Sequence, residues 1–230
     1  MVQKRDEHKE PVIRAFVALP GETLVEVAAR LLPGSGLFVS RSGKEIATNN
    51  MNDNHPSQED HLGFLRQYKS ESEIFSLSSG EEIPIQKYFL HFDPWKGDPI
   101  PNTYNGKAVI DWNGEPVFAE LAVLRLFQSH GWNGVWVDSY RRKYRIGLPD
   151  VIEPIELPEE QKKIIDAIRA KTGKSGGCWD VAVWKGGQIL FIELKRNKRD
   201  RIQDSQKMWF EKSLGFGLTV DSFALIEWDE

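Results

Sequence analysis

Two short apolar segments joined by a glycine pair constrain the fold of this chain more than any other feature. The segments WDVAVW (179–184) and ILFIELK (189–195) flank the four residues KGGQ at 185–188. Two β-forming segments around a Gly-Gly pair predict a hairpin with a two-residue turn. Counting back from that turn places Asp180 directly opposite Glu193.

This register puts two carboxylates on neighbouring strands, with Cβ atoms about 4.5–5.5 Å apart. Side chains alternate along a strand, so Lys195 shares a face with Glu193. Repulsion predicts a raised pKa for one carboxyl and a need for a cation. Mg²⁺ and Mn²⁺ prefer such oxygen ligands, and a metal beside a lysine suits phosphodiester hydrolysis. The alternative is a set of solvated residues on an exposed sheet face.

Two further polar residues lie on apolar helix faces. Glu120, within a predicted helix over 115–130, has Val123 and Phe127 among its helical neighbours. A carboxylate there is costly unless it is paired or binds metal, although one at the helix edge can reach solvent. Gln206, within a predicted helix over 202–214, indicates a buried hydrogen bond near the sheet or a plain surface amide.

The remaining pattern predicts an α/β fold. Polar, turn-forming residues 47–60 predict a loop, and the prolines and glycines of 93–106 predict a linker. The predicted helices cover 22–32, 115–130, 158–172 and 202–214, and the predicted strands cover 83–92, 134–140, 179–184, 189–195 and 218–228.

Composition excludes several classes of protein. The 230 residues carry a net charge of −4, so binding of nucleic acid must rest on local basic patches. The longest apolar run is five residues and the N-terminus is charged, which predicts an intracellular protein, cytoplasmic or in the nucleoid or nucleus, with no membrane partner. Scattered histidines and one cysteine favour no zinc site, and the absence of a GxxxxGK[ST] motif argues against ATP hydrolysis. Cys178 is predicted to be a small buried residue.

The segment 176–222 resembles the VRR-NUC branch of the PD-(D/E)xK nuclease superfamily. In that family an Asp opens a strand, a hairpin leads to E-x-K, and a helix follows that carries Gln and, three residues later, Trp. The residues that match in order and spacing are Asp180, Glu193, Lys195, Gln206 and Trp209. Glu120 fits the family's acidic residue on the helix before the sheet, and the resemblance extends over about 115–230.

The chain departs from the family pattern at two motifs. Trp179 stands where the family usually has Pro, and the third motif reads Glu-Leu-Lys-Arg in place of Val-Lys-Gly. The literal Pro149-Asp150 match is rejected because no apolar strand with E-x-K follows it.

The resemblance implies a restriction-endonuclease-like core, a mixed central sheet flanked by helices, with an N-terminal extension. Residues 111–230 would form the nuclease domain, with an insertion at about 141–177. Residues 1–110 could add a strand to the core, a dimer surface or a recognition module, and self-association stays open. The implied ligands of one or two Mg²⁺ or Mn²⁺ ions are Glu120, Asp180, Glu193 and the backbone carbonyl of Leu194. Lys195 would orient or activate water, and Gln206 would position Lys195 or the phosphate.

Two basic patches beside these motifs predict contacts with DNA phosphates, unless they are solvated loops. The first contains Arg196, Lys198, Arg199 and Arg201, and the second contains Arg141, Arg142, Lys143 and Tyr144. Tyrosines could also stack on unpaired bases. The function predicted is a metal-dependent DNA nuclease of the structure-specific or repair and recombination type. The alternatives are a restriction-type or end-degrading nuclease, and a non-catalytic nucleic-acid-binding protein.

Overall fold

A computed structural model describes residues 61–104, 106–173 and 176–230. The predicted helix over 22–32 and the predicted loop over 47–60 lie outside these residues. The helices are α1 (Ala119–Gln128), α2 (Glu159–Thr172) and α3 (Asp204–Leu214), with 3₁₀ turns at Gly63–Gln67 and Val220–Ser222. The strands are β1 (Ser70–Ser76), β2 (Glu82–His91), β3 (Ile110–Trp112), β4 (Glu115–Val117), β5 (Asn133–Asp138), β6 (Lys143–Arg145), β7 (Val181–Lys185), β8 (Gln188–Arg196) and β9 (Phe223–Asp229).

Seven strands form one mixed sheet in the order β1-β2-β9-β8-β7-β5-β6. β9 runs parallel to both of its neighbours, and the other pairs in this sheet are antiparallel. The prediction of an α/β fold is therefore confirmed. β1 and β2 show that residues 70–91 add strands to the same sheet as the C-terminal half, one of the roles left open for residues 1–110.

The hairpin of β7 and β8 has the register expected from the sequence. Trp184 pairs with Ile189, and Lys185 pairs with Gln188. Gly186 and Gly187 have φ values of 57° and 81°, the left-handed conformations that a tight two-residue turn requires. The local turn chemistry thus sets which residues face each other at the far end of the hairpin.

The predicted helix over 115–130 is shorter than expected at its N-terminal end. Asn113 and Gly114 both have positive φ and join β3 to β4, so 115–117 is a strand and α1 begins at Ala119. An Asn-Gly pair between two short strands is a strong hairpin signal, and here it outweighs the helical periodicity that follows it. The helix over 158–172 is confirmed, ending at Gly173 with a left-handed φ of 62°.

The two faces of the sheet carry separate apolar clusters. Leu190, Ile192 and Leu194 of β8 pack with α1 on one face, and Ile189 and Phe191 pack with α2 and α3 on the other. Because alternate side chains go to opposite faces, both faces of β8 are covered. The helices α1 and α3 therefore lie on opposite faces of the sheet, on either side of β8.

Residues 139–180 lie between the paired strands β5 and β7, and they contain β6 and α2. The predicted linker over 93–106 is a loop tied to the small β3-β4 sheet, since Pro94 bridges to Ile110. In the part of the chain that the structure describes, the helices are all too short or too polar to cross a membrane.

Candidate active site

Asp180 lies just before β7, at the open end of the hairpin. Its side-chain Oδ2 accepts a hydrogen bond of 3.0 Å from the N–H of Leu194, and its carbonyl accepts one of 2.7 Å from Val137. The N–H and carbonyl of one strand residue point to the same strand edge. The Leu194 carbonyl, implied by the family resemblance as a metal ligand, therefore faces the same side as Asp180.

Trp179, which stands where the VRR-NUC pattern has proline, holds this segment against α3. Its ring is fully buried, and its Nε1 donates a hydrogen bond of 3.2 Å to the carbonyl of Gln206. A side chain at Gly177 would place a Cβ only 2.3 Å from the carbonyl oxygen of Ser205. The close approach of the two segments therefore requires glycine there and brings Asp180 near Gln206.

Glu193 is fully buried and is held by two side chains. Lys195 Nζ donates to Glu193 Oε1 at 2.7 Å, and Gln206 Nε2 donates to the same oxygen. Gln206 Oε1 in turn accepts from Lys195 Nζ at 3.1 Å and from the N–H of Gln203 at 2.8 Å. The amide of Gln206 is thus fixed by the first turn of α3 and orients both Glu193 and Lys195.

Glu120 extends from α1 toward the same place and is 8% exposed. Its Oε1 forms an ion pair with Lys107, which the sequence analysis did not single out. The Nζ of Lys107 also lies 5.1 Å from the ring centroid of Trp136 and 5.6 Å from that of Phe118. Lys107 belongs to an irregular loop with no motif or periodicity, so no sequence signal marked it.

The electrostatics of these acids are unfavourable in the protein alone. Burial raises the pKa of Glu193 well above its usual range, and the nearby charge of Asp180 raises it further. Burial also raises the pKa of Asp180, and Glu120 adds to that shift. Glu193 Oε2 and Glu120 Oε2 are buried with no hydrogen-bond partner. The cluster therefore holds dry carboxylate oxygens that a cation would stabilise.

These groups share one cavity of about 350 Å³, termed the carboxylate cavity. The lining residues that matter here are Lys107, Glu120, Asp180, Glu193, Lys195 and Gln206. The structure thus brings together every acid, the lysine and the glutamine that the sequence analysis selected. Trp209, the other residue of the motif, is a core residue packed 5.9 Å from Phe191, measured between ring centroids.

No three His, Cys, Asp or Glu side chains within 61–104, 106–173 and 176–230 are arranged so that they could hold a metal ion. Lys107 and Lys195 neutralise Glu120 and Glu193 instead. Mg²⁺, however, is commonly held by one or two carboxylates, with water and substrate phosphate completing its shell. Asp180 and Glu193 supply two carboxylates, and the unpartnered Oε2 atoms are hard donors, so the chemistry of the donor set fits such an ion.

The first basic patch borders the carboxylate cavity. Arg196 and Arg199 line it, and Arg196 is held by an ion pair to Glu230 and by the ring of Trp228, whose centroid is 5.3 Å from its Cζ. Arg201 lines a neighbouring cavity that also contains Lys195. Lys198 is exposed in the turn after β8, with a φ of 58°.

The second patch is divided. Arg142 and Lys143 are exposed, whereas Tyr144 is half-buried and its hydroxyl accepts a hydrogen bond of 2.6 Å from Arg169 of α2. The face of Tyr144 is covered by the Arg169 guanidinium, 5.5 Å from the ring centroid. Tyr140 instead presents its ring to solvent, being 91% exposed. The tyrosine available for stacking is therefore Tyr140, the residue just before this patch.

Two other predictions concerned residues outside the site. Cys178 is buried as expected, and burial raises the pKa of its thiol to about 12, which leaves it protonated and unreactive at neutral pH. Asp150 is exposed and accepts a hydrogen bond of 2.7 Å from Asn102. It does not line the carboxylate cavity.

No protein-family model matches the chain, and no curated protein matches it. The relation to the VRR-NUC family therefore rests on the motif resemblance alone.

Proposed function

We propose that this protein is a divalent-metal-dependent nuclease that hydrolyses phosphodiester bonds in DNA. The observation that carries the proposal is the pair of buried, unpartnered carboxylate oxygens of Glu120 and Glu193 beside Asp180 and Lys195 in one cavity. A carboxylate oxygen buried without a hydrogen-bond partner is costly even where the other oxygen of the same group is ion-paired, and proteins retain such oxygens where a ligand compensates the cost.

The acids have the character of hard ligands. Asp180 and Glu193 would hold Mg²⁺ or Mn²⁺, with the Leu194 carbonyl as a further oxygen donor and Glu120 beside them, paired with Lys107. Such an ion, when bound, supplies charge neutralisation at the phosphate and activation of water. The pKa values of Asp180 and Glu193 are raised because both carboxyls are buried and each lies near another acid, and a bound cation would offset that cost.

Lys195 supplies the remaining donor. Its ammonium has three N–H donors, and the structure uses two of them, for Glu193 and Gln206. The third can reach a water or a phosphate oxygen in the cavity. Gln206 acts as a positioning residue, because its amide is fixed by Gln203 and holds the lysine in place.

DNA is favoured by the cations on the rim of the cavity. Arg196 and Arg199 line the cavity and would contact backbone phosphates, and such contacts make affinity fall with salt. A structure-specific or repair and recombination-type endonuclease is the variety that the family resemblance implies.

A second function has one specific observation in its favour. The ion pairs Lys107–Glu120 and Lys195–Glu193 already neutralise two of the acids, as expected for a non-catalytic nucleic-acid-binding protein that keeps the nuclease fold. Divalent metal would then leave the unfolding stability of the protein unchanged and would cause no cleavage of DNA.

One experiment decides between these functions. The full chain and its Lys195→Ala variant are incubated with single-stranded, duplex, flap and four-way-junction DNA in Mg²⁺, Mn²⁺ or EDTA. We expect cleavage with either metal, none in EDTA, and none by the variant. Cleavage of specific duplex sequences or only of ends would identify the restriction-type or end-degrading alternative. Binding without cleavage of any substrate would overturn the proposal.

Thermal unfolding provides a readout that does not depend on cleavage. Metal at about ten times Kd stabilises a protein by about 1.4 kcal/mol. For a domain of this size we expect the wild-type midpoint to rise by about 3–6 °C with Mn²⁺. An equal rise in the Asp180→Ala variant would show that the ion binds elsewhere.

A further inference from the structure

A second cavity, of about 420 Å³, adjoins the carboxylate cavity and is termed the aromatic cavity. Both cavities are lined by Lys107, Glu120 and Asp180, so they meet at the candidate metal ligands. The aromatic cavity adds Tyr104, Trp136, Tyr140 and Arg141 to these shared residues. Its volume falls in the range of pockets that hold small ligands.

Asp138 organises one wall of the aromatic cavity. This carboxylate is 3% exposed and accepts hydrogen bonds of 2.6 Å from Tyr104 Oη and 2.8 Å from Arg145 Nε. It also accepts one of 3.2 Å from the backbone N–H of Arg141. A buried, fully bonded carboxylate at the end of β5 holds Tyr104 and the turn 139–142 together. The cavity is therefore preformed.

Arg141 and Tyr140 present the two kinds of group that bind a nucleotide. The guanidinium of Arg141 lies 4.0 Å from the ring centroid of Tyr104, and within the described residues no hydrogen bond or ion pair uses its N–H groups. Tyr140 is 91% exposed and makes no ring contact within the same residues. A fixed cation and an open aromatic face stand side by side at the mouth of the cavity.

We propose that the aromatic cavity binds one unpaired nucleotide next to the cleaved phosphodiester, with the base stacked on Tyr140 and a phosphate on Arg141. The proposal rests on the proposed nuclease function and specifies its substrate as DNA with a single-stranded segment at the cut. A base is available to an aromatic side chain only when it is unstacked from its neighbours.

The contrast between the two cavities supports this assignment. The carboxylate cavity is bordered by Arg196 and Arg199, which suit a phosphate backbone, whereas the aromatic cavity carries the exposed ring of Tyr140 beside Tyr104, whose ring is covered by Arg141. A DNA strand that passes Glu120 and Asp180, which line both cavities, would therefore move from contacts with its backbone to a contact with one base.

The test compares DNA affinity of the full chain in EDTA, where no metal-dependent cleavage can occur. Fluorescence anisotropy is measured for labelled oligothymidylate of about 12 nucleotides and for a duplex of equal length. We expect Tyr140→Ala to weaken binding of the single strand by about 5- to 100-fold and to change duplex affinity less than about twofold. Tyr140→Phe should retain wild-type affinity, because the ring is kept. Arg141→Gln should make the slope of log affinity against log salt concentration less steep by about one for the single strand, as expected for the loss of one phosphate contact.

Phe216→Ala is the matched control, since Phe216 is also an exposed aromatic residue, at 39%, but does not line either cavity. Unchanged single-strand affinity in Tyr140→Ala, or equal losses for both DNAs, would overturn the nucleotide site while wild-type cleavage still supported the nuclease. Loss in Phe216→Ala as large as in Tyr140→Ala would overturn it as well. Failure of wild type to bind or cleave any DNA would defeat both proposals.

Discussion

Two clusters of lysine and acidic residues within the described part of the chain differ in burial. On β1, β2 and β9, Lys87 contacts Glu71, Glu73 and Glu227 at 2.8, 2.8 and 3.4 Å. These four residues, termed the Lys87 cluster, keep their carboxylates in partial contact with water, with side chains 50%, 40% and 22% exposed. In the carboxylate cavity, the side chains of Glu120 and Glu193 are only 10% and 1% exposed.

The consequences for titration are opposite. Partial burial alone would lower the pKa of Lys87, but hydrogen bonds to Glu71 and Glu73 raise it above its usual range. The pKa of Glu71 is lowered, chiefly by its hydrogen bond to Lys87. The pKa values of Asp180 and Glu193 are raised. The Lys87 cluster satisfies itself, whereas Glu120 and Glu193 in the carboxylate cavity each keep one buried oxygen without a hydrogen-bond partner, so charge count alone does not identify a site.

The largest expected difference between the clusters concerns DNA cleavage. Asp180→Ala, Glu193→Ala and Lys195→Ala should each reduce the rate by about 10²–10³-fold or more, because each removes a group that acts on the phosphate. Glu73→Ala in the Lys87 cluster should leave the rate within about twofold. Circular dichroism checks that all four variants fold. Full activity of Asp180→Ala would end the assignment.

The second difference concerns stability in EDTA. Because the folded-state pKa of Glu193 lies above its usual 4.5, its bound proton stabilises the fold fully below pH 4.5, and that stabilisation is lost as the pH rises through the raised pKa. Glu193→Gln should therefore exceed wild type at neutral pH by about 1–3 kcal/mol, or about 2–10 °C in melting midpoint.

The advantage of Glu193→Gln should shrink toward pH 4.5, as urea titrations at several pH values would show. Glu73→Gln provides the control, with no such gain expected. Parallel pH profiles for wild type and Glu193→Gln would contradict the raised pKa.

Lys107 allows the comparison to be sharpened. Lys107→Met removes the cation that pairs with Glu120, so we expect Mn²⁺ to bind about 5- to 10-fold more tightly, as measured by calorimetry without DNA. Lys87→Met should leave Mn²⁺ affinity unchanged. Weaker binding in Lys107→Met would show that the lysine positions Glu120 for the ion and does not compete with it.

The smallest effect is expected in the Lys87 cluster itself. Lys87→Met should cost about 1 kcal/mol or less, because ion pairs with hydrated carboxylates contribute little. The difference from wild type should diminish further as salt is raised. A cost of several kcal/mol in thermal or urea unfolding would show that this cluster, too, is a buried network.

Predictions based on local patterns agree with the structure at the β7–β8 hairpin and at α2 but not at the start of α1, and Lys107 needed distant contacts. The β7–β8 register was predictable from alternation and a Gly-Gly turn, and α2 from its capping residues. α1 is shorter than predicted because Asn113-Gly114 forms a hairpin turn instead of preceding the helix directly. Lys107 was missed because its contact with Glu120 depends on how a loop folds over α1.

The sequence by itself determined that Asp180 and Glu193 are neighbours, since a two-residue turn and a period of two leave one register for the hairpin. Tertiary structure alone decided which groups surround them. Packing of α1 and α3 on opposite faces of the sheet brings Glu120 and Gln206 to the site, and a hydrogen bond from the backbone N–H of Arg141 to Asp138 fixes the turn that carries Arg141. The physical reason is range: turn geometry acts over a few residues, whereas burial and charge depend on segments that meet only in the folded protein.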